Sequence, residues 1–218
     1  MQSSSFSNAL LLVLVFSTVF VVPLLPASQH GLLYDTCYAG IYFLAALAVQ
    51  RHRRMLLTLA LSLVIVERLS DLLDLPLLTA MAGAGNILFF ILIVVLLIAQ
   101  IARTKEVSAR LIVESINGYL LIGLTFALLV ILLATHQPEA YSFTGSATPA
   151  AGAELSHSDC FYYAFVTFTT VGYGDLLPEI SKSKSLATLM SMTGQLYLAV
   201  ILATLVGKFA SRPRSAED

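Results

Sequence analysis

Thr170-Val171-Gly172-Tyr173-Gly174-Asp175 is the stretch of this 218-residue chain whose residue types and order suggest chemistry. Moving a cation such as K⁺ through lipid means replacing its water shell with oxygen ligands at little net cost. Stacked backbone carbonyls from several identical loops can supply them. Gly172 and Gly174 permit backbone angles closed to other residues, so successive carbonyls can turn to one axis. The Thr170 hydroxyl adds an oxygen at the inner end, and Val171 and Tyr173 are expected to point away from the axis into packing behind the loop. Taken singly, a glycine in a turn or a tyrosine at a membrane interface is ordinary, but that does not explain their order. No Cys/His cluster with metal-ligand spacing, phosphate-cradling glycine loop or nucleophile–base pair occurs in the sequence, so an enzyme and a resident cofactor have no support.

Such a loop needs a support that dives into the protein without crossing it. Residues 160–169 form a semi-apolar run too short to span a bilayer, which suits a re-entrant helix. Ser156 or Ser158 is a plausible N-cap, with Asp159 in the first turn. The C-terminal end of that helix, carrying partial negative charge, would face an ion in a central cavity.

The rest of the chain is built for lipid. It is 58% hydrophobic and 11% charged, against about 25% charged in ordinary soluble domains. Its mean hydropathy is +0.87. A net charge of −1 gives no reason to expect nucleic acid as a partner. Cys37 and Cys160 lie far apart in apolar stretches, and free thiols are favoured over a disulfide. Six apolar stretches, 9–25, 31–49, 55–75, 83–101, 116–134 and 186–206, approach the length a bilayer requires.

Arg51, Arg53 and Arg54 follow the second stretch, Arg103, Lys105 and Arg110 the fourth, and Lys208, Arg212 and Arg214 the sixth. The positive-inside rule then places both termini in the cytoplasm, with only Lys182 and Lys184 in outer loops and Arg68 within the third span. A cleaved signal peptide is the alternative for the first stretch, but residues 1–8 carry no Lys or Arg. The expected fold is an all-α membrane protein of six transmembrane helices plus a re-entrant helix and loop. A four-helix domain (1–102) comes first, then an interfacial helix (103–115), a pore domain (116–210) and a short tail (211–218). In the interfacial helix, Glu106 with Arg110 and Arg110 with Glu114 are spaced to pair, as are Val107 and Leu111 on another face; a solvated cap on span five reads equally well. Residues 135–157, rich in Pro, Gly, Ser, Thr and Ala, are expected to be irregular.

The run from Phe161 to Asp175, with the six residues from Thr170 onward matching without a substitution, resembles the pore helix and signature sequence of the potassium channel family. The resemblance implies that Thr170, Val171, Gly172 and Tyr173 offer K⁺-coordinating carbonyls within a selectivity filter that includes Gly174, with Asp175 at the outer mouth. Each chain has one such loop and about four are needed around an axis, so a homotetramer in lipid is expected. The family's pore helix often carries tryptophan. Here Phe161, Tyr162, Tyr163 and Phe165 would form the aromatic cuff. Gly194 resembles the family's inner-helix hinge, or serves as a small residue for close packing. Along one helical face, Gln195 and Leu198 are candidate cavity residues, and Leu202 and Val206 a hydrophobic gate. Glu139, Glu154, Asp159, Asp175 and Glu179 would make an acidic vestibule, or be solvated loop charge.

Six spans with the pore between the last two is the layout of voltage-gated relatives, yet 83–101 has no basic residue, so voltage dependence is expected to be weak or absent. Asp35, Glu67, Arg68 and Asp71 are expected to form an intramembrane ion-pair cluster, a staple rather than a sensor. The twelve residues after Val206 are too few for a nucleotide- or Ca²⁺-binding domain, and His136 and His157 are read as outer-surface residues. The overall expectation is passive, selective K⁺ conduction in a bacterial cytoplasmic membrane. A transporter finds no internal repeat in its favour, and a non-conducting modifier subunit does not explain an intact signature.

Overall fold

Why the helices begin where they do is decided by caps rather than by the apolar runs. In the computed structural model, which describes residues 2–49, 52–73, 75–104, 108–144 and 155–210, the helices are α1 (Gln2–Phe16), α2 (His30–Ala48), α3 (Arg53–Leu73), α4 (Pro76–Arg103), α5 (Ala109–His136), α6 (His157–Phe168) and α7 (Ser181–Ala210). Pro76 occupies the first turn of α4 after an extended Leu75, so that helix starts seven residues before the apolar run at 83. Ser108 caps α5 by accepting from the Leu111 amide at 3.3 Å, which starts that helix seven residues before 116.

The same cap corrects the expected interfacial helix at 103–115. Among the described residues it does not exist as a separate element, because Arg103 closes α4 and 109–115 are the first turns of α5. Lys105, Glu106 and Val107 lie outside the described residues, as do Arg51, Glu154, Arg212, Arg214 and the tail 211–218.

Among the described residues, five helical segments are long and apolar enough to cross a membrane: Phe6–Leu24, His30–Ala48, Leu77–Arg103, Ala109–His136 and Ser181–Ala210. The expected third span falls short of that measure. α3 carries Arg53, Arg54, Glu67, Arg68 and Asp71 on a 21-residue helix, and each is costly in hydrocarbon. It nonetheless packs between α2 and α4. Arg68 Nη1 meets Asp35 Oδ2 of α2 at 3.1 Å, and Asn86 of α4 donates to Glu67 at 3.5 Å, so part of the expected ion-pair cluster is formed.

α1 packs on α2 and α5, α4 packs on α3 and α5, and α6 sits between α5 and α7. Bulky rings fill the bundle: Tyr42 lies 5.3 Å from Phe89 and 5.0 Å from Phe90, centroid to centroid. Tyr34 of α2 stacks on Phe161 of α6 at 5.4 Å and meets His157 edge-on at 5.5 Å. The bundle therefore touches the outer end of the re-entrant helix. Between α1 and α5, Glu114 is buried, accepting from Arg110 Nε at 2.8 Å and from Asn8 Nδ2 at 2.9 Å, while Asn117 donates to the Asn8 carbonyl at 2.8 Å. Lys208 of α7 donates to the Ile101 and Ala102 carbonyls of α4, at 2.7 and 3.2 Å. Cys37 and Cys160 are free thiols.

The all-α expectation needs one correction. β1 (Tyr141–Phe143), in the segment expected to be irregular, pairs antiparallel with β2 (Leu176–Pro178), with Ser142 opposite Leu177. Three-residue strands this far apart in sequence leave no alternation long enough to read.

Candidate functional site

The site is built outward from α6. Ser156 and Asp159 form a reciprocal capping box: the Ser156 hydroxyl accepts from the Asp159 amide at 3.2 Å, and the Asp159 carboxylate accepts from the Ser156 amide at 3.0 Å. This fixes the start at His157, three residues before the expected 160. Twelve helical residues rise about 18 Å, too little to cross, so α6 ends inside the molecule at Phe168.

Beyond α6 the chain turns back on the helix end. Thr170 N donates to the Thr167 carbonyl at 3.0 Å, and Val171 N and Gly172 N both reach the Val166 carbonyl, at 2.9 and 3.2 Å. Thr170, Gly172 and Gly174 have φ of 61°, 57° and 77°, while Val171 and Tyr173 between them do not have positive φ. Alternating left- and right-handed residues bring successive amide N–H groups to one side of the backbone. Here the Val171 and Gly172 N–H groups share the Val166 carbonyl, while the Thr170 N–H takes that of Thr167. Among the described residues, the carbonyls of Thr170, Val171, Gly172 and Tyr173 accept no hydrogen bond. A row of free carbonyl oxygens is a set of hard ligands for a desolvated cation.

Glycine was expected to carry the unusual angles, but Thr170 carries one too. A β-branched residue in the left-handed region is a strained outlier, costing about 1–3 kcal/mol. Sequence gives no signal for it, because threonine ordinarily avoids this conformation.

The outer end is stapled. Tyr162 donates to Asp175 Oδ2 at 2.7 Å, Leu176 N donates to Asp175 Oδ1 at 3.1 Å, and the Tyr162 ring lies parallel to Tyr173 at 6.5 Å. The Asp175 carboxylate beside it holds the Tyr162 hydroxyl protonated and pushes its pKa up to about 12. Thr144 clamps the far end of the loop: its hydroxyl donates to the Gly174 carbonyl at 2.6 Å and its amide to the Asp175 carbonyl at 2.8 Å. Nothing local to the sequence could have paired Thr144 with a residue thirty positions away; β1–β2 brings it there.

Of the expected aromatic cuff, Phe161 and Tyr163 are buried, Phe165 is partly buried, and Tyr162 faces Tyr173. Packing behind the loop is not made within one chain, where Val171 is 53% and Tyr173 72% exposed. Of the acidic residues, Asp159 is spent on the capping box and Glu179 accepts from Ser142. His157 is exposed, as expected, yet its partial desolvation beside Tyr34 lowers its pKa, against an opposing pull from Asp35, while His30 adds to the lowering.

On the inner side α7 rests on the end of α6. Gly194 is buried, and a Cβ there would overlap the Phe168 carbonyl, so the residue supplies a close approach. One turn earlier Ser191 donates to the Thr167 carbonyl at 3.2 Å. Gln195 Nε2 reaches Thr170 Oγ1 at 3.2 Å. Leu198, Leu202 and Val206 are exposed in a single chain, as are Leu196, Val200 and Phe209 on other faces of α7.

Residues 119–211 match a family model described as "Ion channel". The two-pore potassium channel 4 of Arabidopsis thaliana is 40% identical over 58 residues, 27% of this chain and 20% of the plant protein. The A-type voltage-gated potassium channel KCND3 of Homo sapiens is 31% identical over 93 residues, 43% of this chain and 13% of that protein. The chain thus spans no more than a fifth of these curated relatives. Residues 119–211 hold most of α5, the supporting helix, the turned-back loop and α7, so the similarity to ion channels falls on this site.

Proposed function

We propose that the chain is one subunit of a K⁺-selective channel in which four copies bring residues 170–174 to a common axis as the selectivity filter. The observation that carries the reading is the handed alternation at Thr170, Gly172 and Gly174, which leaves four consecutive carbonyls without donors. Free carbonyls exposed to lipid would each cost several kcal/mol, so they need either water or a cation. Exposure of Val171 and Tyr173 on the single chain supports the oligomer, since their packing waits for neighbours. α3 crosses as a sixth span, its Arg68 neutralised by Asp35, and both termini lie in the cytoplasm of a cell-membrane protein.

α4 has no basic residue before Arg103, so the channel conducts with little voltage dependence. Leu202 and Val206 narrow the inner mouth, and Gln195 and Leu198 line the cavity above them. The test is flux from purified protein in liposomes. Ohmic current with K⁺ strongly preferred over Na⁺ is expected. Equal passage of both ions, slow saturable exchange, silence, or a gating charge above about two per subunit would each overturn the corresponding part.

A further inference from the structure

Threonine hydroxyls in this chain have a habit. Thr125, Thr169, Thr188 and Thr204 each donate to the carbonyl four residues back, at 2.7, 2.7, 3.0 and 2.7 Å. This is the local bond a helical threonine makes by default. Thr170, immediately after Thr169, departs from it: its Oγ1 accepts from Gln195 Nε2 at 3.2 Å. The donor arrives from α7, twenty-five residues on, and its placement is over-determined. The Ser191 hydroxyl lies between the Ala187 carbonyl of its own helix and the Thr167 carbonyl, at 3.1 and 3.2 Å, and Gly194 abuts the Phe168 carbonyl. The next residue is thereby held under the base of the loop.

A hydroxyl oxygen has two lone pairs and one proton. When it accepts from an amide N–H, one lone pair is engaged and the second remains available to a cation. When it donates to its own helix instead, the oxygen is drawn back toward that helix. The amide contact therefore decides which way the Thr170 oxygen faces. It also braces a β-branched residue whose backbone is in the left-handed region (φ 61°), a conformation that persists only where the surroundings enforce it.

We infer that Gln195 is a positioning residue for the innermost cation site: its carboxamide holds the Thr170 hydroxyl oxygen as an acceptor presented to the ion, so ion affinity at the loop's inner end depends on a side chain of α7. The inference rests on residues 170–174 being the selectivity filter. The ligand class is a dehydrated cation of K⁺ size, and the role is distinct from general polarity of the cavity wall, because it acts only through Thr170.

Ba²⁺ is close to K⁺ in size with twice the charge, so it probes an oxygen-lined K⁺ site. Channels reconstituted in planar bilayers are titrated with Ba²⁺ from the inner side, in the unaltered protein, Gln195→Met, Thr170→Val and the double variant, each checked for assembly by its size in detergent. Gln195→Met keeps the side chain's length but cannot donate. It is expected to weaken Ba²⁺ block about fivefold, the scale of one net hydrogen bond. In the Thr170→Val background the same substitution is expected to change nothing further. Gln195→Asn, one methylene short of Thr170, gives the same weakening and stands in if Gln195→Met does not assemble.

Equal Ba²⁺ block in the unaltered protein and in Gln195→Met, or an equal weakening in both threonine backgrounds, overturns the inference while leaving the channel reading standing. Absence of K⁺-selective current in the unaltered protein overturns both.

Discussion

Replacing Glu114 with alanine removes the acceptor at the centre of the α1–α5 contact. Glu114 is 3% exposed and takes Arg110 Nε at 2.8 Å and Asn8 Nδ2 at 2.9 Å. Breaking a fully buried ion pair by deleting one partner costs about 3–5 kcal/mol, because the other charge is stranded. The Arg110 side chain is 24% exposed, so its stranded charge keeps some water and the lower end, about 3 kcal/mol, applies. The Asn8 donor, itself buried, loses its partner and adds about 1 kcal/mol. The sum is about 3–4 kcal/mol, roughly a hundred- to a thousandfold in the folded-to-unfolded ratio. The assay is SDS-titrated unfolding in mixed micelles, followed by helical circular dichroism. Because the cost lies mostly in the stranded charge, Glu114→Ala combined with Arg110→Ala should cost clearly less than the two single changes added together. A Glu114→Ala protein within about 0.5 kcal/mol of the unaltered one, or strict additivity in the double variant, would refute the reasoning.

Gly194→Ala should cost about 1–3 kcal/mol, because the new methyl falls on the Phe168 backbone carbonyl and α7 must lift off α6; loss of K⁺ flux in parallel with loss of the assembled form measures it. Tyr162 is raised from 10 to about 12 by its hydrogen bond to Asp175, so folding favours the protonated tyrosine. Its contribution is complete below pH 10 and is lost between 10 and 12; heat resistance should fall over that window in the unaltered protein and much less in Tyr162→Phe. His157 shifts the opposite way, lowered from 6.5 mainly by burial. The unfolded chain then binds the proton first, so stability is full above pH 6.5 and declines as pH drops below it. His157→Gln should flatten that decline, and an acid limb of unchanged size would count against the assignment.

Much of the site was legible because its sequence signals are local. The capping serine and Asp159 sit three apart, the glycines alternate with side chains, and the supporting helix is bounded by its own apolar run. The Arg68–Asp35 pair was legible too, since a charge in hydrocarbon demands a partner. What escaped reading is non-local. Thr144 reaches Gly174 only through β1–β2, Ser191 reaches Thr167 only through the seat of α7 on α6, and Asn8 reaches Glu114 across the α1–α5 interface. Hydropathy also misjudged the interfaces. It located the apolar centres of α4 and α5 but not their first turns, where Pro76 and Ser108 govern.

The connection from α4 to α5 occupies only residues 104–108, too short to carry the first four helices away from their own outer helix. α1 and α4 accordingly close on α5 of the same chain. Each newly made polypeptide can finish nearly all of its interior alone in the bilayer, before any sibling arrives. Val171, Tyr173 and several residues of α7 are among the large apolar side chains that a single copy leaves exposed. In the tetramer proposed above, Val171 and Tyr173 would find their packing only against neighbouring copies around the conduit.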